Sequence, residues 1–574
     1  MPRSRAPALG LSAGGGAPSV SGMRLDAPSA QPRLPADARP VAGEGAWAGA
    51  AVIMGVCVWG AAVFFLTGYA IDDTFIHLQF ARNLAAGRGF RFWPGDPPVY
   101  GCTSPAWVFV LASGQWLGAG GLALARACSV MSGAIGLLLF YRVSCRSITS
   151  RLAWLPVALL AVNPWWVRWS ASGMEASLGT AIVLAAWLLC LREGDRRARD
   201  MASAGMMCAV GVVARPELVL LPVILLLALW RSKALPSARA ARWTACAAIG
   251  APGLLAGMAW GWFAWRHFGS PVPNAVSAKA AETGWGASAL DAVARLVQML
   301  AVSDALLVAA LLVTVGRAVV GAALSRNRSP WRSGPFTRMF AVWWPLSVVA
   351  FLLAGRGPMQ SRYLLVAWPC LTLLGATAVL RFLDGIATPV RRLALAVVVA
   401  CPVATGAWIV YPHMRAVEAN LAVYKEMASF IREQTPPDSL IAVHEIGVLG
   451  YEGQRRLLDL GGLVSPEVNR RPTRGQPEEL TVSLDFLRRA GATHYLDPHG
   501  KVAALMRDGK RSGARFLELA SWRFVGGTSL TNRDTYTQRL YEIDWRQPVG
   551  PLSKTSVGFA QMFCELAPDK NHEA

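Results

Sequence analysis

Apolar residues in this chain come in long unbroken runs rather than in narrow stripes. AVIMGVCVWGAAVFFLTGYA, residues 51–70, is long enough to cross a hydrocarbon core of roughly 30 Å, which takes about 20 residues of helix. Runs of the same kind recur and predict spans near 48–70, 122–144, 152–168, 174–191, 201–214, 217–230, 244–266, 297–318, 338–354, 361–381 and 392–411. The pattern is that of a polytopic α-helical membrane protein with about 11 transmembrane helices.

The polar segments between the runs set the direction of threading. YRVSCRSITSR (141–151), LREGDRRARD (191–200), RSKALPSARAARW (231–243), SRNRSPWRSGPFTR (325–338) and RFLDGIATPVRR (381–392) are short and rich in Arg. Short basic loops stay in the cytoplasm. With all five inside, the N-terminus is cytoplasmic and the C-terminus extracytoplasmic. SPAWVFVLASGQWLG (104–118) is too short to span and reads as a helix lying at the outer surface. Were it to cross, every later basic loop would flip outward.

The opposite loops then collect on one face. They include 71–107, SASGMEAS (170–177), ARPEL (214–218), FGSPVPNAVSAKAAETGWG (268–286) and GRGPMQSRY (355–363). They carry Asp72, Asp73, Glu175, Arg215, Glu217, Lys279, Arg356 and Arg362. Orientation needs few of these groups, and ionisable side chains at membrane depth are costly, so their default reading is functional. Simpler readings compete. Glu175 suits a helix N-terminus, Arg215 and Glu217 flank Pro216 and can pair with each other, and Arg362 and Tyr363 suit an interfacial anchor, as does Lys279. His77 follows Asp73 by one turn and reads as structural. Trp93 and Trp107 read as interface belt.

Past residue 412 the runs stop. MRAVEANLAVYKEMASFIREQTP reads as a helix ended by Pro436 and Pro437. SLIAVHE, RRLLDLGG, ATHYLDP, FLELASWRFV and TQRLYEIDW read as strands, with helical stretches near 480–490 and 498–510. Residues 413–574 are thus expected to be an extracytoplasmic α/β domain, after a membrane domain over 48–412. IGVLGYEG (446–453) places glycines near a strand end without the full phosphate-binding fingerprint.

Composition supports this picture. The chain has 574 residues, 54% hydrophobic and 16% charged, with mean hydropathy +0.37; a soluble chain would be nearer a quarter charged. The net charge of +21 sits largely in cytoplasmic loops and suits membrane lipid, so it does not call for nucleic acid. Residues 1–47, rich in Ala, Pro, Gly and Arg, read as a disordered cytoplasmic tail. Most of the ten cysteines fall in apolar runs as small core residues. Cys102 and Cys564 fall outside them and could pair.

The order of motifs along the chain resembles one family. IDDTFIHLQFARNLAAGRGFRFWPGD (71–96), YGCTSPAW (100–107), SGMEASL (172–178), ARPEL, PVPNAVSAK (271–279), RYLL (362–365) and IAVHEIGVLGYEGQRRLLDLGGL (441–463) are similar to the GT-C membrane glycosyltransferases. Within that superfamily they resemble mycobacterial-type terminal arabinofuranosyltransferases and their bacterial relatives, over roughly residues 48–465. Two departures stand out. The family pattern Tyr-Thr-Asn-Pro-Leu-Trp is replaced around Cys102, Ser104 and Ala106, and Ala176 replaces a Thr.

The resemblance implies a GT-C-like fold in a bacterial inner membrane. It implies a polyprenyl-phosphate sugar donor and an envelope glycan, lipid or protein acceptor. Asp72 and Asp73 would be the catalytic pair, one taking the acceptor proton as general base; Asp72 is the preferred base. Glu175, Arg215, Glu217, Asn274, Lys279, Arg362 and Tyr363 would bind substrate, the cations meeting the departing phosphate. Asp73 and Glu175 could hold a divalent cation, Mg or Mn. A lipid-linked sugar transporter or flippase, a surface-glycan polymerase or ligase, and a non-catalytic envelope assembly protein remain alternatives.

Overall fold

Two of the expected spans are broken where the hydropathy profile runs on. The structure is a computed structural model. It describes residues 55–57, 59–148, 152–190, 197–231, 239–276, 285–323, 359–469, 484–498, 500, 502, 503, 505, 506, 513–526 and 534–545. The tail over 1–47, the expected span 338–354, and Lys279, Arg356 and Cys564 lie outside the described residues.

The chain enters as α1 (Gly55–Phe65), turns, and starts α2 (Asp72–Ala85) with both acids in its first turn and Arg82 in its last, the arrangement the helix dipole favours. The segment at 104–118 folds as a separate helix, α3 (Pro105–Trp116). Ser104 caps it by accepting from the Trp107 amide, and Pro105 fills the first turn, where no amide donor is needed. A long helix, α4 (Gly121–Ser147), follows.

The run expected to span 152–168 is two helices, α5 (Leu155–Val162) and α6 (Pro164–Ala171). Asn163 breaks it by bonding the Trp165 amide, 3.0 Å, while Pro164 starts the next helix. α7 (Ala176–Cys190) then leaves at 113° to α6. α8 (Arg197–Ala214), α9 (Leu221–Arg231) and α10 (Arg239–Phe268) follow. A side chain at Gly205 would collide with the Ala248 carbonyl, so α8 and α10 meet through small residues, as membrane helices commonly do.

The second break falls inside the expected span 297–318. α11 (Trp285–Ser303) and α12 (Ala305–Ala323) bend by 106° at Asp304. The buried Asp304 carboxyl accepts from Asn163 Nδ2 at 3.1 Å, Trp368 Nε1 at 2.9 Å and Ser303 Oγ. The two breaks are therefore tied to each other. A buried polar group needs such partners, and hydropathy cannot report them.

Two further helices, α13 (Ser361–Phe382) and α14 (Thr388–Gln434), complete the set. Among the described residues, four helices (α4, α10, α13 and α14) are long and apolar enough to cross a membrane, or up to six if each sharply bent pair is one span. This is the architecture of a polytopic membrane protein. α14 has 47 residues and runs through the expected domain boundary at 412 without interruption.

All five expected strands form. They are β1 (Leu440–Val443), β2 (Arg456–Asp459), β3 (His494–Asp497), β4 (Ala514–Val525) and β5 (Thr535–Trp545), in the order β2-β1-β3-β5-β4. β1 pairs in parallel with β2 and β3; β5 joins β3 and β4 antiparallel. The parallel strands β1 and β3 are buried along their length, as parallel strands usually are. Between β1 and β2 the chain makes a short helix, α15 (Gly447–Glu452), and before β3 another, α16 (Leu484–Ala490).

One apolar core joins the two regions. Phe75, Ile76 and Phe80 of α2 and Trp107 and Leu111 of α3 are buried together with Met427, Ile441, Val443, Val448, Leu449 and Phe524. Each such side chain stabilises by about 1.5–3 kcal/mol when fully buried. Arg82 lies over the Tyr451 ring at 4.5 Å and donates to its carbonyl at 3.0 Å. Arg456 pairs with Asp96 at 2.6 Å. This packing sets the N-terminus of α2 against the loop after β1.

Candidate active site

The site begins at the first turn of α2. Asp72 accepts the Gly447 amide on Oδ2 and the Val448 amide on Oδ1, both at 2.8 Å. The glycine-rich stretch that looked like a weak phosphate loop thus binds an anion of the chain's own. Gly447 has to be glycine here. A Cβ would sit on the Asp72 carbonyl oxygen and 2.6 Å from its Cγ.

Asp73 turns the other way and accepts from Arg362 Nη1 at the start of α13. Arg362 also donates to the Tyr363 hydroxyl at 3.2 Å. Its backbone carbonyl accepts Arg215 Nη2 at 3.1 Å. Arg215 in turn bonds Glu175 Oε1 at 3.0 Å and Glu217 Oε1 at 2.5 Å. Five of the expected site residues form one connected network: Asp73, Arg362, Arg215, Glu175 and Glu217. Tyr363 adjoins it. Gly179 makes room, since a Cβ there would fall 2.6 Å from Arg215 Cδ.

The simpler readings hold in part. Arg215 and Glu217 do pair, but Arg215 also neutralises Glu175, and both of those side chains are 4% exposed. Glu175 Oε2 is buried without a hydrogen-bond partner. Asn274 is not in the network. Its amide donates to the Tyr100 carbonyl at 2.9 Å and its Nδ2 to the Leu463 carbonyl at 3.0 Å, so it ties two loops together. His77 bonds the Asp73 carbonyl through Nδ1 at 2.9 Å. Trp107 is core, not belt, and holds the Gly173 carbonyl at 3.1 Å. Cys102 is buried, and burial, with the Glu175 charge adding, pushes its thiol up to about 12.

Two acids that the sequence did not single out close the site from the other side. Glu445 lies two residues past β1 and Asp459 ends β2. Asp459 is fully buried and accepts the Gly461, Leu463 and Val464 amides at 2.8, 2.5 and 2.8 Å. Glu445 sits at the partly open rim of a recess crowded by other carboxylates, with its carboxyl directed inward among them. Burial, then the charges of Asp72, Asp73 and Asp459, push Glu445 up to about 8. Asp72 is raised to about 6, chiefly by burial, with Asp73 and Asp459 adding and the two amides opposing. A signal for both acids was present: ligands gather at the carboxyl ends of parallel strands.

A divalent cation does not fit the expected pair. Asp73 is engaged by Arg362 and Glu175 by Arg215. Among the described residues no three His, Cys, Asp or Glu side chains gather where they could hold an ion.

The C-terminal part of the chain, residues 412–543, matches a family model described as a domain of unknown function (DUF8728). No curated protein matches the sequence. The crystal structure of ArnT from Cupriavidus metallidurans bound to undecaprenyl phosphate superposes at a TM-score of 0.52, with 14% identity over 86% of this chain and 98% of that one. The apo form of the same protein gives 0.50, with 13% identity over 85% and 97%. The chain has the GT-C fold. The mycobacterial arabinofuranosyltransferase AftD overlaps 87% of this chain and 40% of its own, at 17% identity and a TM-score of 0.46, too distant to add to that. At the start of α2, Asp72 is thus seated on the loop after β1 while Asp73 turns to Arg362.

Proposed function

We propose that the protein is a glycosyltransferase that moves a sugar from a polyprenyl-phosphate donor to an envelope glycan, lipid or protein acceptor. The observation that carries the reading is the setting of Asp72 and Asp73. One is seated on the Gly447 and Val448 amides and the other is paired with Arg362. The ArnT likeness supports it, because that structure holds undecaprenyl phosphate.

In this reading the acceptor hydroxyl attacks the anomeric carbon and gives its proton to Asp72. A base whose pKa lies near the working pH serves best, and Asp72 is raised toward neutrality. The bond from anomeric carbon to phosphate oxygen breaks, and the electron pair stays on the phosphate. Arg362 stands nearest the pair and would meet that charge, since Arg binds phosphate in bidentate fashion. Asp73 orients Arg362, and Arg215 holds the Arg362 backbone.

We further propose the eleven-span threading in a bacterial inner membrane, with the N-terminus inside and the C-terminal domain outside. Its support is the clustering of Arg in loops on one side. Reporters fused after residues 195 and 420 should be active on opposite sides. The transfer itself is tested with radiolabelled polyprenyl-phosphate sugars on membranes containing the protein. At least one should be consumed, and Asp72→Asn membranes should leave it intact. Equal consumption by both would remove the reading.

A further inference from the structure

Away from the acidic pair and its network, α1 and α4 face each other with room between them. The two helices leave a groove of about 540 Å³ between them, a volume typical of ligand sites. Val63, Phe64, Ala123, Ala127 and Met131 line it, and Arg126 supplies its cation. Phe64 and Met131 are 70% and 59% exposed. On α4, long and apolar enough to cross a bilayer, such a face meets lipid tails. The order of residues gives the groove a direction. Along α1 the chain runs from Val63 toward Asp72, and along α4 it runs from Arg126 toward Met131. Arg126 therefore stands at the end nearer the acidic pair, with the apolar walls below it.

The guanidinium is under-used. Among the described residues its one hydrogen bond runs from Nη2 to the Leu66 carbonyl, at the end of α1. That contact caps a helix terminus. Nε has no partner. The carboxylate that acts on Arg126 electrically is Glu418, which Arg415 already pairs at 2.5 Å. An unmatched guanidinium above an apolar groove matches a lipid with an anionic head and a long tail. Basic pockets between membrane helices take such headgroups, and Arg favours phosphate oxygens.

We propose that the α1–α4 groove binds an anionic glycerophospholipid, with its phosphate on Arg126 and one acyl chain along Val63, Ala127 and Met131. The assignment does not depend on the transferase reading, because no residue of the acidic pair or its network takes part.

The test is lipid retention by the purified full chain, read by native mass spectrometry after detergent exchange. Phosphatidylglycerol, phosphatidylcholine and a polyprenyl phosphate are each added at equal concentration. One phosphatidylglycerol should be retained at least fivefold better than phosphatidylcholine. Arg126→Gln should remove that preference, and Ala127→Trp, which fills the groove, should remove retention altogether. Arg126→Lys keeps the charge and should keep part of the preference; it also serves if Arg126→Gln does not fold. Equal retention of phosphatidylglycerol and phosphatidylcholine would overturn the proposal, as would a folded Arg126→Gln protein that binds like wild type. Displacement of phosphatidylglycerol by stoichiometric polyprenyl phosphate would reassign the groove to that lipid and overturn it as well.

Discussion

The carboxylate of Asp72 is held by the backbone amide of Gly447, 375 residues away in the chain. The contact joins the start of α2 to the loop after β1, and it leaves no space for a side chain at 447. Gly447→Ala should either push Asp72 off its two amides or lift α15. Overpacking of this kind costs about 1–3 kcal/mol. We expect a lower melting temperature and at least a tenfold loss of transfer. Gly261→Ala is the control: nothing lies within 4 Å of a Cβ there, and Ala is the better helix former. If both variants behave alike in a thermal melt, the clasp is not tight.

The Arg215 node is a stability element as well as a support for Arg362. Its pair with Glu175 is almost wholly buried. Removing one partner of such a pair strands a charge and costs about 3–5 kcal/mol. Arg215→Gln should therefore destabilise strongly, whereas Glu217→Gln, at a carboxylate 30% exposed, should cost about 1 kcal/mol or less. Denaturation midpoints of the two variants decide it. Equal effects would mean that Glu175 finds another partner.

Much of the architecture is legible in the sequence. The alternation and short apolar runs past residue 412 predict all five strands, and the short apolar segment 104–118 predicts a helix where α3 forms. The network around Arg215 and Arg362 came from loops that the basic clusters had sorted to one face. What stayed hidden depended on tertiary contact. Asn163 and Asp304 each look like one polar residue in an apolar run, yet together they stabilise two helix breaks. Glu445 and Asp459 are ordinary acids at strand ends until α2 docks against them.

Glu445 makes stability depend on pH. Its pKa rises from the ordinary 4.5 to about 8 on folding. Between those values the folded chain holds more protons than the unfolded one, so stability falls as pH rises through the window. The loss should start near pH 4.5 and be complete above about 8. Glu445→Gln cannot ionise and should flatten the curve while leaving the protein folded. Melting temperatures from pH 5 to 9 provide the check. A wild-type curve that rises with pH would contradict the crowding of carboxylates in the recess.

Transfer should not need a divalent cation. The two carboxylates best placed to bind one each neutralise a guanidinium, and a cation would have to displace it. Full activity is therefore expected in excess chelator. Loss of activity that returns with added Mg or Mn would show that Arg362 or Arg215 moves aside when substrate binds.

The acidic pair itself should be unequal. Asp72 is expected to be the base, so Asp72→Asn should lower turnover by roughly 10² to 10⁴, the usual worth of a general base, with the protein still inserted. Transfer needs the ionised form, so the wild-type rate should climb as pH rises through about 6. Asp73 acts on that limb through charge. Its own negative charge helps raise the Asp72 pKa, and its pairing occupies Arg362. Removing it takes away a repelling anion and leaves a cation less neutralised. Both changes favour the Asp72 carboxylate, so Asp73→Asn should move the acid limb below pH 6 and lose less rate than Asp72→Asn. Turnover against pH for the two single variants separates the roles. A larger loss of rate in Asp73→Asn than in Asp72→Asn would make Asp73 the base, and two near-wild-type profiles would reduce the pair to a clasp between α2 and the loop after β1.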